Sequence, residues 1–131
     1  MHTVTLRIRT YECDAYGHVN NAVYLNYLEY ARDLFLTDQG LDYQALVAAG
    51  AGIFVAEAKL VFLSPALPAE ELTIGTTIHE SGASWAVLQQ IVRGPGNRPV
   101  LDALVKLVWV GSSGRPTRIP PEWKERLLKA T

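Results

Sequence analysis

Hydrophobic and polar residues alternate along most of the chain, with one long interruption. Between residues 4 and 11, Val4, Leu6 and Ile8 alternate with polar side chains, a pattern typical of a half-buried strand. Four further segments have strand character and are separated by short runs rich in glycine, proline and serine: 53–63, 72–80, 84–93 and 100–110. The short connections between the last three favour antiparallel hairpins, and we expect the four segments to form a meander.

The interruption, residues 22–39, has the hydrophobic period of a helix. Asn20 or Asn21 can cap its start, because an asparagine side-chain oxygen accepts a backbone N–H of the first turn. Gly40 suits the left-handed position that ends many helices. The apolar stripe of this helix contains Tyr24, Leu28, Ala31 and Phe35, widened by Leu25 and Leu34.

One long helix among five strands predicts an α+β fold, in which an antiparallel sheet wraps around a single central helix. Residues 41–52 add one or two helical turns. Pro120 and Pro121 open a short helix near the end of the sequence. No break in composition divides the chain, so we expect a single domain over residues 1–131.

Composition places the chain among ordinary globular proteins. It has 131 residues, 49% of them hydrophobic, and a net charge of −1, which gives no bulk electrostatic reason to bind nucleic acid or a membrane. A single cysteine, Cys13, excludes an intrachain disulfide and fits a reducing compartment. No apolar run reaches the roughly 18 residues of a membrane span, and the N-terminal residues alternate unlike a signal peptide. We therefore expect a cytoplasmic protein.

The loop before the long helix contains the most specific motif. Residues 13–33 read CDAYGHVNNAVYLNYLEYARD. The pattern D-x-x-G-H-V-N-N before a tyrosine-bearing helix, with the KLVFLSPAL and SGASWAVLQQIV strands, resembles hotdog-fold acyl-CoA thioesterases of the 4-hydroxybenzoyl-CoA thioesterase type. This resemblance covers essentially the whole chain. It implies a hotdog fold that hydrolyses an acyl-CoA to a carboxylic acid and CoA, with no cofactor beyond the CoA of the substrate.

Thioester hydrolysis needs a base or nucleophile at the carbonyl carbon and positive potential at the carbonyl oxygen. A helix N-terminus offers unpaired N–H groups and a partial positive charge. By the family motif, Asp14 falls on the catalytic carboxylate, which acts as base or nucleophile. Asn21 falls where a backbone N–H polarises the carbonyl. Without the motif, Asp14 would rather be interpreted as a turn-forming or capping carboxylate.

Other residues near the motif have two or more interpretations. His18 can bind substrate, orient Asp14 or fix the loop through the backbone; it is not predicted to bind a metal, since no other histidine or cysteine stands at ligand spacing. Asn20 is either a helix cap or a substrate contact. Tyr16 and Tyr24 are predicted to line an acyl pocket, with Tyr24 alternatively a plain core residue.

Candidates outside the motif concern CoA and a second acid. Lys59 is predicted to contact the substrate, because CoA phosphates need basic partners. Ser84 matches a small polar position near the pantetheine arm in the family, or is a turn serine. Glu29 lies on the helix where some hotdog thioesterases carry their catalytic acid, although Asp14 is the preferred candidate. Further basic candidates are Arg93, Arg98, Arg115 and Arg118.

The resemblance also implies homodimers that share active sites, formed by sheets joined edge to edge, and assembly into a homotetramer. Residues 54–62 are apolar on both alternating sets except at Glu57 and Lys59, so we expect them to meet another subunit. Two other functions stay open: an acyl-thioester dehydratase or hydratase that uses His18 with an acid, and a non-catalytic acyl-thioester binding protein. The acyl group is not predicted, nor is the choice between CoA and a carrier protein.

Overall fold

Five antiparallel strands and one long helix form the body of the protein. The computed structural model describes residues 1–130. Its strands are β1 (His2–Arg7), β2 (Gly52–Phe62), β3 (Glu71–Ser81), β4 (Trp85–Arg93) and β5 (Pro99–Val110), and its helices are α1 (Val23–Asp38), α2 (Tyr43–Ala48) and α3 (Pro121–Lys129). The predicted α+β class and hotdog arrangement are confirmed.

The order of strands in the sheet is β1-β3-β4-β5-β2. The predicted meander is therefore right for β3, β4 and β5 but wrong for β2, which pairs with β5 from Gly52 opposite Val110 to Phe62 opposite Leu101. The physical reason is the connection between β2 and β3. Residues 63–70 are too many for a tight hairpin and long enough to carry the chain across the end of the sheet. As a result, β2 is an edge strand.

The first strand also ends earlier than predicted, at Arg7 rather than at residue 11. Residues Thr10–Glu12 form a 3₁₀ turn instead. The Glu12 carboxylate accepts the Arg9 backbone N–H at 2.8 Å and the Arg9 guanidinium at 3.0 Å, which closes this turn. Alternation in the sequence cannot reveal such a turn, because it depends on a carboxylate folding back on the chain. The turn directs the backbone towards the loop that precedes α1.

Helix α1 lies on the inner face of the sheet and buries one side. No helix within residues 1–130 is both long and apolar enough to cross a membrane. Each fully buried large apolar side chain stabilises the fold by about 1.5–3 kcal/mol, so this packing holds α1 in position on the sheet. The buried residues of α1 are Tyr24, Tyr27, Leu28, Ala31, Arg32, Phe35 and Leu36. Facing residues of the sheet include Leu72, Ile74, Leu88, Val92, Val105 and Trp109.

A buried amide joins the sheet to α1. Gln90 of β4 is fully buried, and its Nε2 donates to the Leu28 carbonyl at 3.0 Å and to Thr76 Oγ1 at 3.1 Å. Its Oε1 accepts a hydrogen bond of 3.2 Å from Nη1 of Arg32. Burial lowers the pKa of Arg32. This network ties α1 to two strands and limits rotation of the helix on the sheet.

The C-terminal end of α1 and the short helices agree with the sequence predictions. Gly40 follows α1 with φ of 76°, the left-handed conformation expected of it. Arg126 of α3 donates to the carbonyls of Gln39 and Gly40, at 3.2 and 2.9 Å, and so satisfies the C-terminal end of α1. The predicted turns within residues 41–52 form α2, and Pro121 begins α3.

The Gln90 network can be tested by a pair of neighbouring substitutions. Gln90→Leu leaves the Arg32 guanidinium buried without its acceptor, so we expect it to lower the free energy of unfolding by about 3 kcal/mol. Gln89→Leu is the control, because Gln89 lies on the outer face and should change stability by less than about 1 kcal/mol. Urea unfolding measures both, and equal losses would contradict the role of Gln90.

Candidate active site

A tight turn orients the Asp14 carboxylate. The Asp14 N–H donates to the His18 carbonyl at 2.8 Å, and Gly17 N–H donates to the Asp14 carbonyl at 3.0 Å. Asp14 Oδ1 accepts the N–H groups of Tyr16 and His18, at 2.9 and 3.3 Å. Gly17 has φ of 75°, which explains the glycine, as predicted. Within residues 1–130, Asp14 Oδ2 accepts no hydrogen bond and is free to act on a ligand.

The start of α1 lies directly beyond this turn. Asn20 Oδ1 accepts the Ala22 N–H at 2.9 Å, and the Asn20 carbonyl accepts the Val23 N–H at 2.9 Å. The N-cap of α1 is Ala22, without a side-chain cap, so the predicted asparagine cap is wrong; the Asn20 side chain instead closes the turn that leads into the helix. The Asn21 backbone N–H has no acceptor anywhere in the described part of the chain. It lies at the positive end of the helix dipole, where an oxyanion would be stabilised.

These groups face a common cleft of about 300 Å³. Three of its residues come from the predicted catalytic set, and a fourth, Tyr24, was predicted to line an acyl pocket. The cleft thus brings together a carboxylate, an imidazole and a free backbone donor beside aromatic surface. Its lining residues are Asp14, His18, Val19, Asn21, Tyr24, Phe62, Leu63, Ser64 and Pro65.

His18 uses its backbone, not its ring, to hold the loop. Both its N–H and its carbonyl bond to Asp14, as described above. The half-buried imidazole has no hydrogen-bond partner among residues 1–130. Of the three roles considered, fixing the loop and orienting Asp14 are served by the His18 backbone, so the ring is available for a ligand in the cleft.

Tyr24 belongs both to the core and to the cleft. Its side chain is 3% exposed, and burial raises the pKa of its hydroxyl, an effect that a hydrogen bond with the Ala66 backbone partly opposes. Its ring is tilted against Phe62 at 5.7 Å and meets Tyr27 edge-on at 6.0 Å, measured between ring centroids. Together, Tyr24 and Phe62 give the cleft an aromatic lining.

Besides Asn20, three predicted substrate contacts do not line this cleft within one chain. Tyr16 is 85% exposed at the tip of the turn. Lys59 lines a separate depression on the outer face of the sheet, beside His79. Ser84 directly precedes β4. The cleft lies near the other end of β4, where Val92 pairs with Leu101, and Leu101 in turn pairs with Phe62 of the cleft. A single chain therefore does not bring these three residues to Asp14.

Glu29 lies apart from Asp14. It lines a different cavity, of about 280 Å³, together with Arg32, Asp33 and Tyr43. Burial and the neighbouring Glu29 raise the pKa of Asp33, and burial with Asp33 raises the pKa of Tyr43 to about 12. The structure thus separates the two candidate acids, and only Asp14 shares a cleft with the start of α1.

One side of the cleft, which we call the cleft wall (residues 62–66), contains no residue that the sequence predicted for the site. Hydrogen bonds hold the cleft wall to two other parts of the chain. Ser64 Oγ donates to the Pro99 carbonyl, and the Ala66 carbonyl accepts the Val19 N–H at 3.0 Å. Two prolines in SPALP signal a rigid connection, but not where it lies. Its position follows from the pairing of β2 with β5.

Arg98 holds the cleft wall in place through hydrogen bonds to Pro65 and Glu70. Its Nη2 donates to Glu70 Oε1 at 2.9 Å and to the Pro65 carbonyl at 3.1 Å, and its Nη1 lies 3.3 Å from Glu70 Oε2. Glu70 Oε1 also accepts the Leu67 N–H at 2.8 Å. Arg98 was a candidate for binding CoA phosphates, but here its two terminal nitrogens are engaged with protein acceptors.

Comparison with known proteins gives the family. The model of the thioesterase-like superfamily matches residues 8–127. The chain is 30% identical over 128 residues to the acyl-acyl carrier protein thioesterase ATL3, chloroplastic, of Arabidopsis thaliana, covering 97% of this chain and 67% of that protein. It is 30% identical over 106 residues to the long-chain acyl-CoA thioesterase FadM of Escherichia coli (strain K12), covering 80% of each. The gentisyl-coenzyme A thioesterase BH1999 is 25% identical, with a TM-score of 0.87 over 95% of this chain and 98% of that one.

The chain belongs to the thioesterase-like superfamily. This membership, with relatives that are named thioesterases, confirms the predicted enzyme class, a thioester hydrolase. The narrower resemblance to the 4-hydroxybenzoyl-CoA type stays a prediction, because the structural neighbours include a gentisyl-coenzyme A thioesterase. The roles of Asp14, His18 and Asn21 also stay predictions.

The Glu70 carboxylate leads to a pH-dependent prediction. Hydrogen bonds from Arg98 and from the Leu67 N–H hold its pKa below the ordinary value. The stabilisation is therefore complete above the ordinary glutamate pKa and is lost as the pH falls through the lowered folded value. We expect wild type to melt above Glu70→Gln near neutral pH, and this difference to shrink between about pH 6 and about pH 3. A difference that stays constant would contradict the assignment.

Proposed function

We propose that this protein hydrolyses acyl-CoA thioesters to a free carboxylic acid and CoA. One observation carries the proposal: Asp14 and Asn21 line the same cleft at the start of α1, and within residues 1–130 the Asp14 Oδ2 and the Asn21 N–H have no hydrogen-bond partner. A thioester carbonyl between them would meet a carboxylate at its carbon and a hydrogen-bond donor at its oxygen. The helix dipole adds positive potential where the oxyanion forms.

Asp14 can act in either of two ways. As a base, it takes a proton from a water whose oxygen attacks the carbonyl carbon. As a nucleophile, it forms a mixed anhydride that water then cleaves. In both routes the Asn21 N–H stabilises the oxyanion, the C–S bond breaks and the thiolate of CoA leaves. We also propose that the His18 ring contacts the bound thioester, because His18 lines the same cleft.

The acyl group of the substrate can be carried by CoA or by an acyl-carrier protein. The curated relatives include an acyl-acyl carrier protein thioesterase and a long-chain acyl-CoA thioesterase. The cleft of one chain contains no lysine or arginine that would select CoA phosphates. We propose acyl-CoA as the substrate, and acyl-carrier protein is the comparison that the assay must include.

The first test of this function is removal of the Asp14 charge. We expect Asp14→Asn to lower kcat at least about a hundredfold without unfolding the protein, because the amide is neither base nor nucleophile at this position. Release of free thiol from a panel of acyl-CoAs measures the rate, and circular dichroism checks the fold. Asp102→Asn is the control, since Asp102 is exposed on the outer face of the sheet.

Other outcomes of the same assay point to the other functions. Equal thiol release by wild type and Asp14→Asn would remove Asp14 from the mechanism. Hydration of an enoyl-CoA without thiol release would identify a dehydratase or hydratase. Tight binding of acyl-CoA with no turnover would identify a binding protein.

We further propose that the active form is a homodimer with shared active sites. Edge strand β2 leaves unpaired backbone groups beside exposed apolar side chains: Phe54 is 59%, Val61 44% and Phe62 49% exposed. Phe62 also lines the cleft, so a second copy on this edge would cover the open side of the site and can bring Lys59 or Ser84 to it. Assembly of two dimers into a homotetramer is part of the proposal.

The homodimer has a direct test. We expect light scattering to give at least twice the mass of one chain at micromolar concentration. Phe54→Lys with Val61→Lys should shift the mass towards the monomer and reduce activity, because charges at this edge oppose pairing. Val47→Lys is the control, since Val47 is equally exposed but lies on α2. A stable monomer with full activity would rule out shared sites.

A further inference from the structure

The Arg98–Glu70 pair is linked to the cleft by an unbroken series of contacts. Arg98 bonds to the Pro65 carbonyl, and Pro65 lines the cleft. The next residue, Ala66, accepts the Val19 N–H and bonds to the Tyr24 hydroxyl. Val19 and Tyr24 also line the cleft, so contacts run from Arg98 through residues 65 and 66 to both of its sides.

Glu70 fixes Arg98 in place. Both carboxylate oxygens of Glu70 accept hydrogen bonds from the guanidinium, a two-point contact that restrains its orientation more than a single bond would. Glu70 is in turn held by the Leu67 N–H, and its carbonyl accepts the Ile8 N–H at 3.0 Å. The pair therefore connects the cleft wall to the end of β1 and the start of β5.

The Asp14 carboxylate and the start of α1 have hydrogen bonds of their own, although Val19 between them bonds to the cleft wall at Ala66. Asp14 Oδ1 accepts the N–H groups of Tyr16 and His18, and Asn20 Oδ1 accepts the Ala22 N–H. Loosening the cleft wall would widen the space for the acyl group but would leave the carboxylate and the backbone donor in place. Substrate binding and chemistry should consequently respond differently.

We propose that Arg98 is a positioning residue that acts through Glu70 and Pro65 to set the width of the cleft, and with it the acyl groups that the site accepts. This inference rests on the proposed hydrolase function. The competing role for Arg98 is direct binding of a CoA phosphate. The geometry opposes that role, because Nη1 and Nη2 bond to protein acceptors and Nε is buried without a partner.

The test compares Arg98→Gln, Glu70→Gln and the double variant on two substrates. One substrate is an acyl-CoA, and the other is the N-acetylcysteamine thioester of the same acid, which has no phosphate. We expect each single variant to raise KM about tenfold on both substrates, the equivalent of one charge-assisted hydrogen bond, and to change kcat less than about twofold. The double variant should be no worse than the worse single variant, because both substitutions break the same Arg98–Glu70 contact.

A matched control removes an ion pair elsewhere. Glu122→Gln breaks the 3.0 Å contact between Glu122 and Arg126 on α3, and should leave KM unchanged on both substrates. A loss confined to acyl-CoA, seen in Arg98→Gln but not in Glu70→Gln, would assign Arg98 to phosphate binding and overturn the proposal. Unchanged KM in both single variants would overturn it as well.

Amide hydrogen exchange separates this proposal from the proposed function. The Val19 N–H donates to Ala66 across the cleft and the Asp14 N–H donates within its own turn, so the variants should accelerate exchange at Val19 about tenfold and leave Asp14 unchanged. Faster exchange in a protein that hydrolyses no thioester would sink the function and keep the positioning role. Unchanged exchange at Val19 in a variant that still hydrolyses thioesters would overturn the positioning role and keep the proposed function. Glu70→Gln carries the test alone if Arg98→Gln does not fold.

Discussion

The pairing of β2 with β5 is the constraint on which the site depends. β3 lies beside β1, three strands away from β2, so the chain between them must cross the end of the sheet. The crossing passes the start of α1 and there forms the cleft wall. Had β2 paired with β3 through a tight hairpin, the Asp14 turn and the helix start would face open solvent, with no surface against which an acyl group could lie.

The position of α1 supplies the second half of the site. A free backbone N–H assists a reaction only if the helix that presents it cannot shift, since misplacement by about 1 Å can cost a hundredfold in rate. Seven buried side chains and the Gln90 amide hold α1 against the sheet. Within this interface Gln90 bonds to Arg32, to the Leu28 carbonyl and to Thr76, whereas Trp109 Nε1 is buried without a hydrogen-bond partner among residues 1–130.

The sequence was sufficient for those features that are encoded locally. Periodicity predicted α1 and four of the five strands nearly to the residue, and Gly17 and Gly40 were correctly interpreted as backbone requirements. Asp14, His18 and Asn21 were found together because they lie within eight consecutive residues. The partner of β2 was not predictable, because alternation shows that a strand has two faces but not which strand it joins.

Two further features were out of reach for the same reason. The Arg98–Glu70 pair joins residues that are 28 apart, and nothing local distinguishes Arg98 from other arginines. For Lys59, the bulge between Val55 and Glu57 shifts the alternation, and the side chain lies on the outer face. Whether Lys59 and Ser84 approach a site depends on a second copy of the chain, which one sequence does not specify.

Features formed by neighbouring residues and features formed by distant residues have different roles in the proposed reaction. The groups proposed for the reaction come from one segment, residues 14–21, whose turns are closed by short-range hydrogen bonds. The opposite side of the cleft comes from a distant segment, residues 62–65, held by Arg98 and by Ser64. On the proposed role of Arg98, changes in the wall would alter which acyl group fits while Asp14 keeps the hydrogen bonds of its own turn. This gives a physical reason why proteins with this fold carry names as different as gentisyl-coenzyme A thioesterase and long-chain acyl-CoA thioesterase.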